Sequence, residues 1–200
     1  MSKVSFFILL MLLAIKAATT APLAFQNSST GPQPFQEKPC FMGGPFNVPK
    51  DVVINLRVIC LDGPQPFQDV PNVFFERWKY SDYDFQKFPN LSPVAFALKY
   101  FTPPDRSAQS TNVLEGLMAI YGATNAGLRS WGAQKSNDVK KIKGPSFYLA
   151  FQHAISVNDL KRAAHQLGKV LKNCVGCKKE EREQVIKIAT DNHVEVPKSF

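Results

Sequence analysis

The sequence contains no apolar run long enough to cross a lipid bilayer. Its longest run extends from Val4 to Ile15, with Ser5 as the only polar residue in it. A membrane-spanning helix needs about 20 apolar residues. We therefore expect no transmembrane segment, and a signal anchor is the weaker alternative for this run.

Recognisable catalytic and metal-binding patterns are also missing. The three histidines, His153, His165 and His193, share no metal-ligand spacing. No G-x-S-x-G, H-E-x-x-H or glycine-rich phosphate-loop pattern occurs. The sequence thus offers no catalytic residue, no metal site and no cofactor site, and we do not expect an enzyme.

The chain begins with features of a secretory signal peptide. Lys3 gives a short positive segment before the apolar run, and residues 17–21 are all Ala or Thr. Signal peptidase cuts after such small residues. The pattern predicts a signal peptide over residues 1–21, with cleavage within 17–21, and hence an extracellular protein. Asn27 and Asn90 each begin an N-x-S sequon, which predicts a glycoprotein.

Cysteine is scarce, and its even number suits an oxidising compartment. Four cysteines allow three pairings, which the sequence does not decide, although the two local pairs are slightly favoured. Those pairs are Cys40 with Cys60 and Cys174 with Cys177. The second pair forms a C-x-x-C pattern at the end of a predicted helix. Redox motifs of this kind lie at helix N-termini, so we expect a structural disulfide there.

Proline divides the chain into two halves. Thirteen of the 15 prolines lie between Pro22 and Pro104, and helix interiors exclude proline. We expect a leader at 22–39 and one globular domain at 40–200, with a Pro- and aromatic-rich half at 40–104 and a helical half at 105–200. The predicted class is α+β, with a short β-hairpin packed on four or five helices. A mainly α fold with an irregular N-terminal arm is the alternative.

The hairpin is predicted from two β-rich segments. Residues 52–61 alternate in polarity, which predicts a strand with one buried face that carries Ile54, Leu56, Val58 and Cys60. Residues 73–80 are the candidate for its partner strand.

Four helices are predicted from start signals and apolar spacing. One begins at Ser92-Pro93, the second is capped by Thr111, the third begins at Ser156, and the last covers residues 180–191. In the third helix a buried face is predicted for Leu160, Ala164, Leu167, Leu171 and Cys174.

Positive charge is concentrated in the C-terminal part of the chain. Residues 129–200 carry a net charge of +7, against −1 for residues 22–128. A candidate anion-binding stripe follows the polar side of the third helix, and a preceding loop extends it. The helix contributes Lys161, Arg162, His165, Lys169 and Lys172, and the loop contributes Lys140, Lys141 and Lys143. A solvated helix surface is the alternative explanation.

Two further patterns concern the Pro-rich half. The hexapeptide Gly-Pro-Gln-Pro-Phe-Gln occurs at 31–36 and again at 63–68. It is either a docking motif or a duplicated turn whose Phe packs on the core, and the turn is favoured. Phenylalanine is abundant in the same half, at positions 25, 35, 41, 46, 67, 74, 75, 85 and 88. These rings either pack in the core or line a pocket for an apolar ligand.

Two functions remain from these observations. The first is a secreted binding protein whose basic stripe contacts a sulfated glycan or an anionic lipid head group. The second is a carrier of a small apolar ligand in an aromatic-lined pocket. A nucleic-acid partner is not expected, because the stripe lacks interleaved aromatic residues.

Overall fold

The computed structural model describes residues 38–47, 52–132 and 136–198. The signal peptide at 1–21, most of the leader at 22–39, the sequon at Asn27 and the first hexapeptide lie outside the described residues. The described residues between 38 and 198 form one compact unit.

A small antiparallel sheet forms in the Pro-rich half. Its strands are β1 (Ile59–Leu61), β2 (Asn72–Phe75) and β3 (Trp78–Lys79), in that spatial order. In the β1–β2 pair, Ile59 faces Phe74 and Cys60 faces Val73. β2 and β3 are joined by a two-residue turn that begins at Glu76, which adopts a positive φ of 56°. The predicted pairing of residues 52–61 with residues 73–80 is present between β1 and β2. The single partner strand over 73–80 was wrong, because the chain turns at residues 76–77 and β3 pairs back onto β2.

The long first strand was wrong for a local reason. The backbone N–H of Arg57 donates to the side-chain oxygen of Asn55 at 2.9 Å, and that of Val58 donates to the Asn55 carbonyl at 3.2 Å. Asn side chains form turns of this kind in competition with a strand ladder. The turn ends the alternation, so Leu56 is 67% exposed where a buried position was predicted.

Five α-helices lie in the described part of the chain, the first at the end of the Pro-rich half and the other four in the helical half. They are α1 (Pro93–Tyr100), α2 (Ala108–Ser130), α3 (Asn137–Ser156), α4 (Leu160–Lys172) and α5 (Lys179–Asp191). α3 packs against α1, α2 and α4, while α5 packs against α4 and α1. The sheet lies against α2. The α+β class predicted from the sequence is confirmed.

The helix starts agree with the sequence for α1 and α5 and differ for α2 and α4. Ser92 caps α1, and its Oγ accepts from the N–H of Ala95 at 3.0 Å. α2 begins at a Ser107 cap, four residues before the predicted Thr111. Asp159 caps α4 by accepting from the N–H of Arg162, whereas Ser156 is the last residue of α3.

The sequence patterns did not predict α3, because Gly and Pro ordinarily interrupt a helix and Gly144-Pro145 lies near its middle. Both residues lie buried inside the helix. A Cβ at position 144 would lie 2.9 Å from Cγ2 of Val94, so the glycine allows α1 to approach closely. Lys140, Lys141 and Lys143, expected in a loop, are therefore helical.

Candidate functional site

The basic stripe is formed by the solvent-facing side of α4. The opposite side of this helix is fully buried at Ala163, Leu167, Val170 and Leu171. Burial of these residues fixes the rotation of the helix and turns its cations outward. Lys161, His165 and Lys172 are exposed, and Arg162 and Lys169 are half-buried. The predicted buried face agrees at Leu167, Leu171 and Cys174, whereas Leu160 and Ala164 are only partly buried.

The positive charge of α4 is not neutralised by ion pairs within the described part of the chain. α4 contains four cations, Lys161, Arg162, Lys169 and Lys172, and no acidic residue. The ion pairs found among the described residues are elsewhere, at Arg57–Glu76, Glu115–His153, Lys179–Glu183 and Lys187–Asp191. The last turn of a helix favours cations, so two of the four also stabilise the helix.

The three lysines expected to extend the stripe lie near the start of α3. α3 and α4 are adjacent helices joined by residues 157–159, and Gly144 of α3 lies beside the carbonyl of Asn173 after α4. The first turns of α3 thus lie next to the C-terminal end of α4. Lys140 is exposed, and Lys141 and Lys143 are half-buried. Lys141 lines a separate groove with Lys178 and Glu181.

A groove of about 310 Å³ opens beside the α4 cations. Its α4 wall consists of Arg162, Gln166 and Lys169, spaced four and three residues apart on one helix face. α2 and α3 supply the other walls, and residues 52 and 53 close the remaining side. These walls are formed by Met118, Tyr121, Gly122, Asn125, Ser146, Phe147 and Ala150.

Two side chains of α4, Lys169 and Gln166, determine the polar character of this groove. Lys169 Nζ lies 5.3 Å from the centre of the Phe147 ring, a cation–π contact that holds the ammonium at the groove. Gln166 has a buried side-chain oxygen with no hydrogen-bond partner among the described residues. The sequence did not reveal this groove, because Phe147 and Gln166 are brought together only by packing. The Arg162–Gln166–Lys169 spacing was the available signal.

The chain matches one protein family over residues 42–193, under the description "Domain of unknown function (DUF7143)". It belongs to that family. The match includes the sheet, all five described helices and every residue of the groove. Comparison with curated proteins and with solved structures finds no significant match.

The four cysteines of this DUF7143 protein form the two local disulfides. Cys40 is bonded to Cys60, and Cys174 is bonded to Cys177. The first bond ties Cys40 to β1, which contains Cys60. The second closes the turn between α4 and α5, where Gly176 adopts a φ of 69°. Both bonds are the local pairs that the sequence slightly favours.

The aromatic rings of the Pro-rich half mainly pack against the core of the DUF7143 domain. Phe41, Phe67, Phe75 and Phe85 are buried, Phe74 and Phe88 are half-buried, and Phe46 is 51% exposed. Phe67, in the second hexapeptide, lies 5.8 Å from the ring of Tyr80. This contact favours the interpretation of the hexapeptide as a turn. Phe25 and Phe35 lie outside the described residues, and the carrier function stays a prediction.

Titration shifts in the DUF7143 domain arise from burial and local hydrogen bonds. Burial raises the pKa of Tyr121, which lines the groove, well above its ordinary value. Its hydroxyl donates to the carbonyl of Tyr83 at 2.7 Å, so this donor is already used. Burial also raises the pKa of Asp84. Within the described ranges no group of three His, Cys, Asp or Glu is arranged to hold a metal ion.

Proposed function

We propose that this protein is a secreted binding protein that contacts an anionic extracellular partner through the basic side of α4. The observation that carries the proposal is the concentration of four cations and no acid on one helix. Asp159 caps the helix through the N–H of Arg162, but none of the four cations belongs to an ion pair found among the described residues. Unpaired cations attract anions more strongly than paired ones, because no internal ion pair competes.

The two disulfides support an extracellular location. The chain forms two disulfides, which persist in oxidising compartments. None of the described helices is long and apolar enough to cross a membrane. The predicted signal peptide at 1–21 and the sequons at Asn27 and Asn90 point to the same route. Asn90 is exposed, which suits a glycan at that position.

A sulfated glycan is the partner that the geometry of α4 favours. Lys161 and Lys172 are eleven residues apart, which is roughly 16 Å along a helix that rises about 1.5 Å per residue. An extended polyanion contacts several cations along such a line at once. Charged contacts at a surface are screened by salt, so the binding is expected to weaken as ionic strength rises.

Heparin affinity chromatography tests this function with charge-matched variants. We expect the glycosylated wild-type protein to be retained, and the triple variant K161E/K169E/K172E to elute at much lower salt. The control K38E/K79E/K99E makes the same charge change at lysines outside α3 and α4. It should elute close to the wild type if α4 is the contact.

Two results would overturn the proposal. One is a wild-type protein that heparin does not retain. The other is equal loss of retention in both triple variants, which would show a dependence on net charge alone. Secretion is tested separately, by comparing the culture medium of cells that express the full chain with that of cells expressing residues 22–200. We expect the protein in the medium only for the full chain.

A further inference from the structure

The groove beside α4 is lined by three kinds of side chain: cationic, amide and apolar. Arg162 and Lys169 supply positive charge, Gln166 and Asn125 supply side-chain amides, and Phe147 belongs to the apolar part of the wall. The volume of about 310 Å³ lies at the lower end of the range for small-molecule sites. A small polar molecule with an anionic group fits this combination better than an apolar one.

The Gln166 amide indicates what the polar part of such a ligand contains. Its side-chain oxygen is buried without a partner among the described residues, and an unsatisfied buried acceptor costs stability. The terminal torsion of Gln is broad, so rotation presents either the oxygen or the NH₂ group to the groove. A ligand reaches only the end of the amide that faces the groove, and a hydroxyl group suits either orientation, because a hydroxyl both donates and accepts.

The charged wall indicates the rest of the ligand. Arg162 and Lys169 lie on the same side of α4 as Gln166, two helical turns apart from one another. Guanidinium groups bind carboxylates and sulfates through paired hydrogen bonds. Phe147 and Ala150 provide apolar surface for the C–H face of a ring.

We propose that this groove binds a single acidic sugar unit, a uronate or a sulfated hexose, of the glycan that α4 contacts. This inference rests on the proposed function, because it assigns a specific subsite to the same partner. The exposed cations Lys161 and Lys172 contact the remainder of the polymer, and the groove holds one ring of it. Selectivity between polyanions thus comes from the groove, and general attraction comes from the exposed lysines.

The test separates the groove from the exposed lysines with two pairs of variants. A150L fills the groove without changing charge, and Q166L removes the amide while keeping similar bulk. K161Q and K172Q remove charge outside the groove. The probe is a sulfated, uronate-containing disaccharide, titrated calorimetrically into the full secreted protein. Lactose and inorganic sulfate are titrated as an uncharged sugar and a bare anion.

We expect the groove variants to weaken disaccharide binding by about tenfold or more. Each variant removes one or two contacts, and a loss of about 1.4 kcal/mol of binding free energy corresponds to a tenfold change in Kd. The K161Q and K172Q variants should lower the salt needed for elution from heparin, and they should weaken disaccharide binding less than A150L and Q166L do. Lactose and sulfate should bind far more weakly than the disaccharide. A shift of the Gln166 side-chain amide signals in NMR spectra on addition of the disaccharide gives support that needs no variant.

Failure of this inference is distinguishable from failure of the function. If heparin retains the wild type through α4 but A150L and Q166L, both folded by circular dichroism, bind the disaccharide like the wild type, the subsite is wrong and the function stands. If sulfate binds as tightly as the disaccharide, the groove is an anion site without sugar recognition, and the inference is overturned. If heparin does not retain the wild type, the function itself is wrong.

Discussion

The hydroxyl of Ser92 donates a hydrogen bond to Oε2 of Glu181 at 2.6 Å, between residues 89 positions apart in the chain. Ser92 Oγ also accepts from the N–H of Ala95 as the N-cap of α1. Glu181 Oε2 likewise accepts from the N–H of Lys178 at the start of α5. The pair therefore caps two helices and fastens their N-terminal ends together.

Replacing Ser92 by Ala removes both the cap and the link between helices. We expect S92A to lower the free energy of unfolding by roughly 2–3 kcal/mol, since a cap contributes about 1 and a hydrogen bond to a carboxylate about 1.5. Urea denaturation of the unglycosylated protein measures this loss. S92T is the matched control, because Thr retains the hydroxyl and also preserves the sequon at Asn90.

The glycan and the cap are separated by one more variant. N90Q removes the glycan acceptor and leaves the Ser92 hydroxyl in place. It should therefore be as stable as the unglycosylated wild type. Equal stability of S92A and S92T would show that the hydroxyl contributes nothing, contrary to this prediction.

The two disulfides should differ in their contribution to stability. They close chain separations of 20 residues for Cys40–Cys60 and 3 residues for Cys174–Cys177. On the chain-entropy relation, the longer loop contributes about 3 kcal/mol and the shorter about 1.5 kcal/mol. We expect C40S/C60S to lower the urea midpoint about twice as far as C174S/C177S. The reverse order would indicate that the turn between α4 and α5 depends on its bond for packing.

Local sequence signals predicted the parts of the fold that are locally determined. The Ser92-Pro93 start of α1 is correct, because cap and first-turn preferences act within a few residues. The spacing of Leu167 and Leu171 identified the buried side of α4 for the same reason. Both disulfides are the local pairs, which the sequence slightly favoured without deciding among the three possible pairings.

Long-range contacts account for what the sequence did not reveal. Gly144 is a helical residue in contact with Val94, about 50 positions earlier in the chain, so only the packing of α1 on α3 explains it. The groove needs Phe147 and Gln166 on different helices and residue 53 from the Pro-rich half. No spacing pattern along one element contains these relationships. The Arg162 and Lys169 positions were predicted as part of a stripe, but not as groove residues.

Stability at low pH should depend on Asp105, before α2. This carboxylate accepts hydrogen bonds from the N–H and Oγ of Ser107 at 3.0 and 2.7 Å and from Oγ of Ser110 at 2.6 Å. These bonds lower the pKa of Asp105 to about 2. A group whose folded pKa is lowered stabilises the fold above its unfolded value, near 3.9, and this stabilisation is lost as the pH falls toward 2.

The variant D105N tests this dependence. The free energy of unfolding of the wild type should fall more steeply than that of D105N between about pH 4 and pH 2, because the variant has no carboxylate to protonate. D62N, at an exposed aspartate, is the control and should follow the wild type. Parallel curves for the wild type and D105N would contradict the assignment of the Ser107 and Ser110 contacts.

Two glycines within helices should respond to alanine in opposite directions. A Cβ at Gly116 in α2 would lie 2.2–2.5 Å from three atoms of the Trp78 ring, which is buried between the sheet and the helix. A Cβ at Gly168 in α4 would lie 3.5 Å from Cγ of Pro197, an ordinary contact. Alanine is favoured over glycine in a helix interior by about 0.5–1 kcal/mol.

We therefore expect G168A to stabilise the protein by about 0.5–1 kcal/mol and G116A to destabilise it by roughly 1–3 kcal/mol through overpacking. Thermal and urea unfolding of both variants measure these changes, and the fluorescence of Trp78 should shift only in G116A. The double variant G116A/W78F should recover part of the loss, since the smaller ring leaves room for the methyl group. Equal stability of G116A and G168A would contradict this prediction. It would show that α2 and β3 can move apart without a loss of unfolding free energy, so that the close packing of the sheet on α2 does not stabilise the fold.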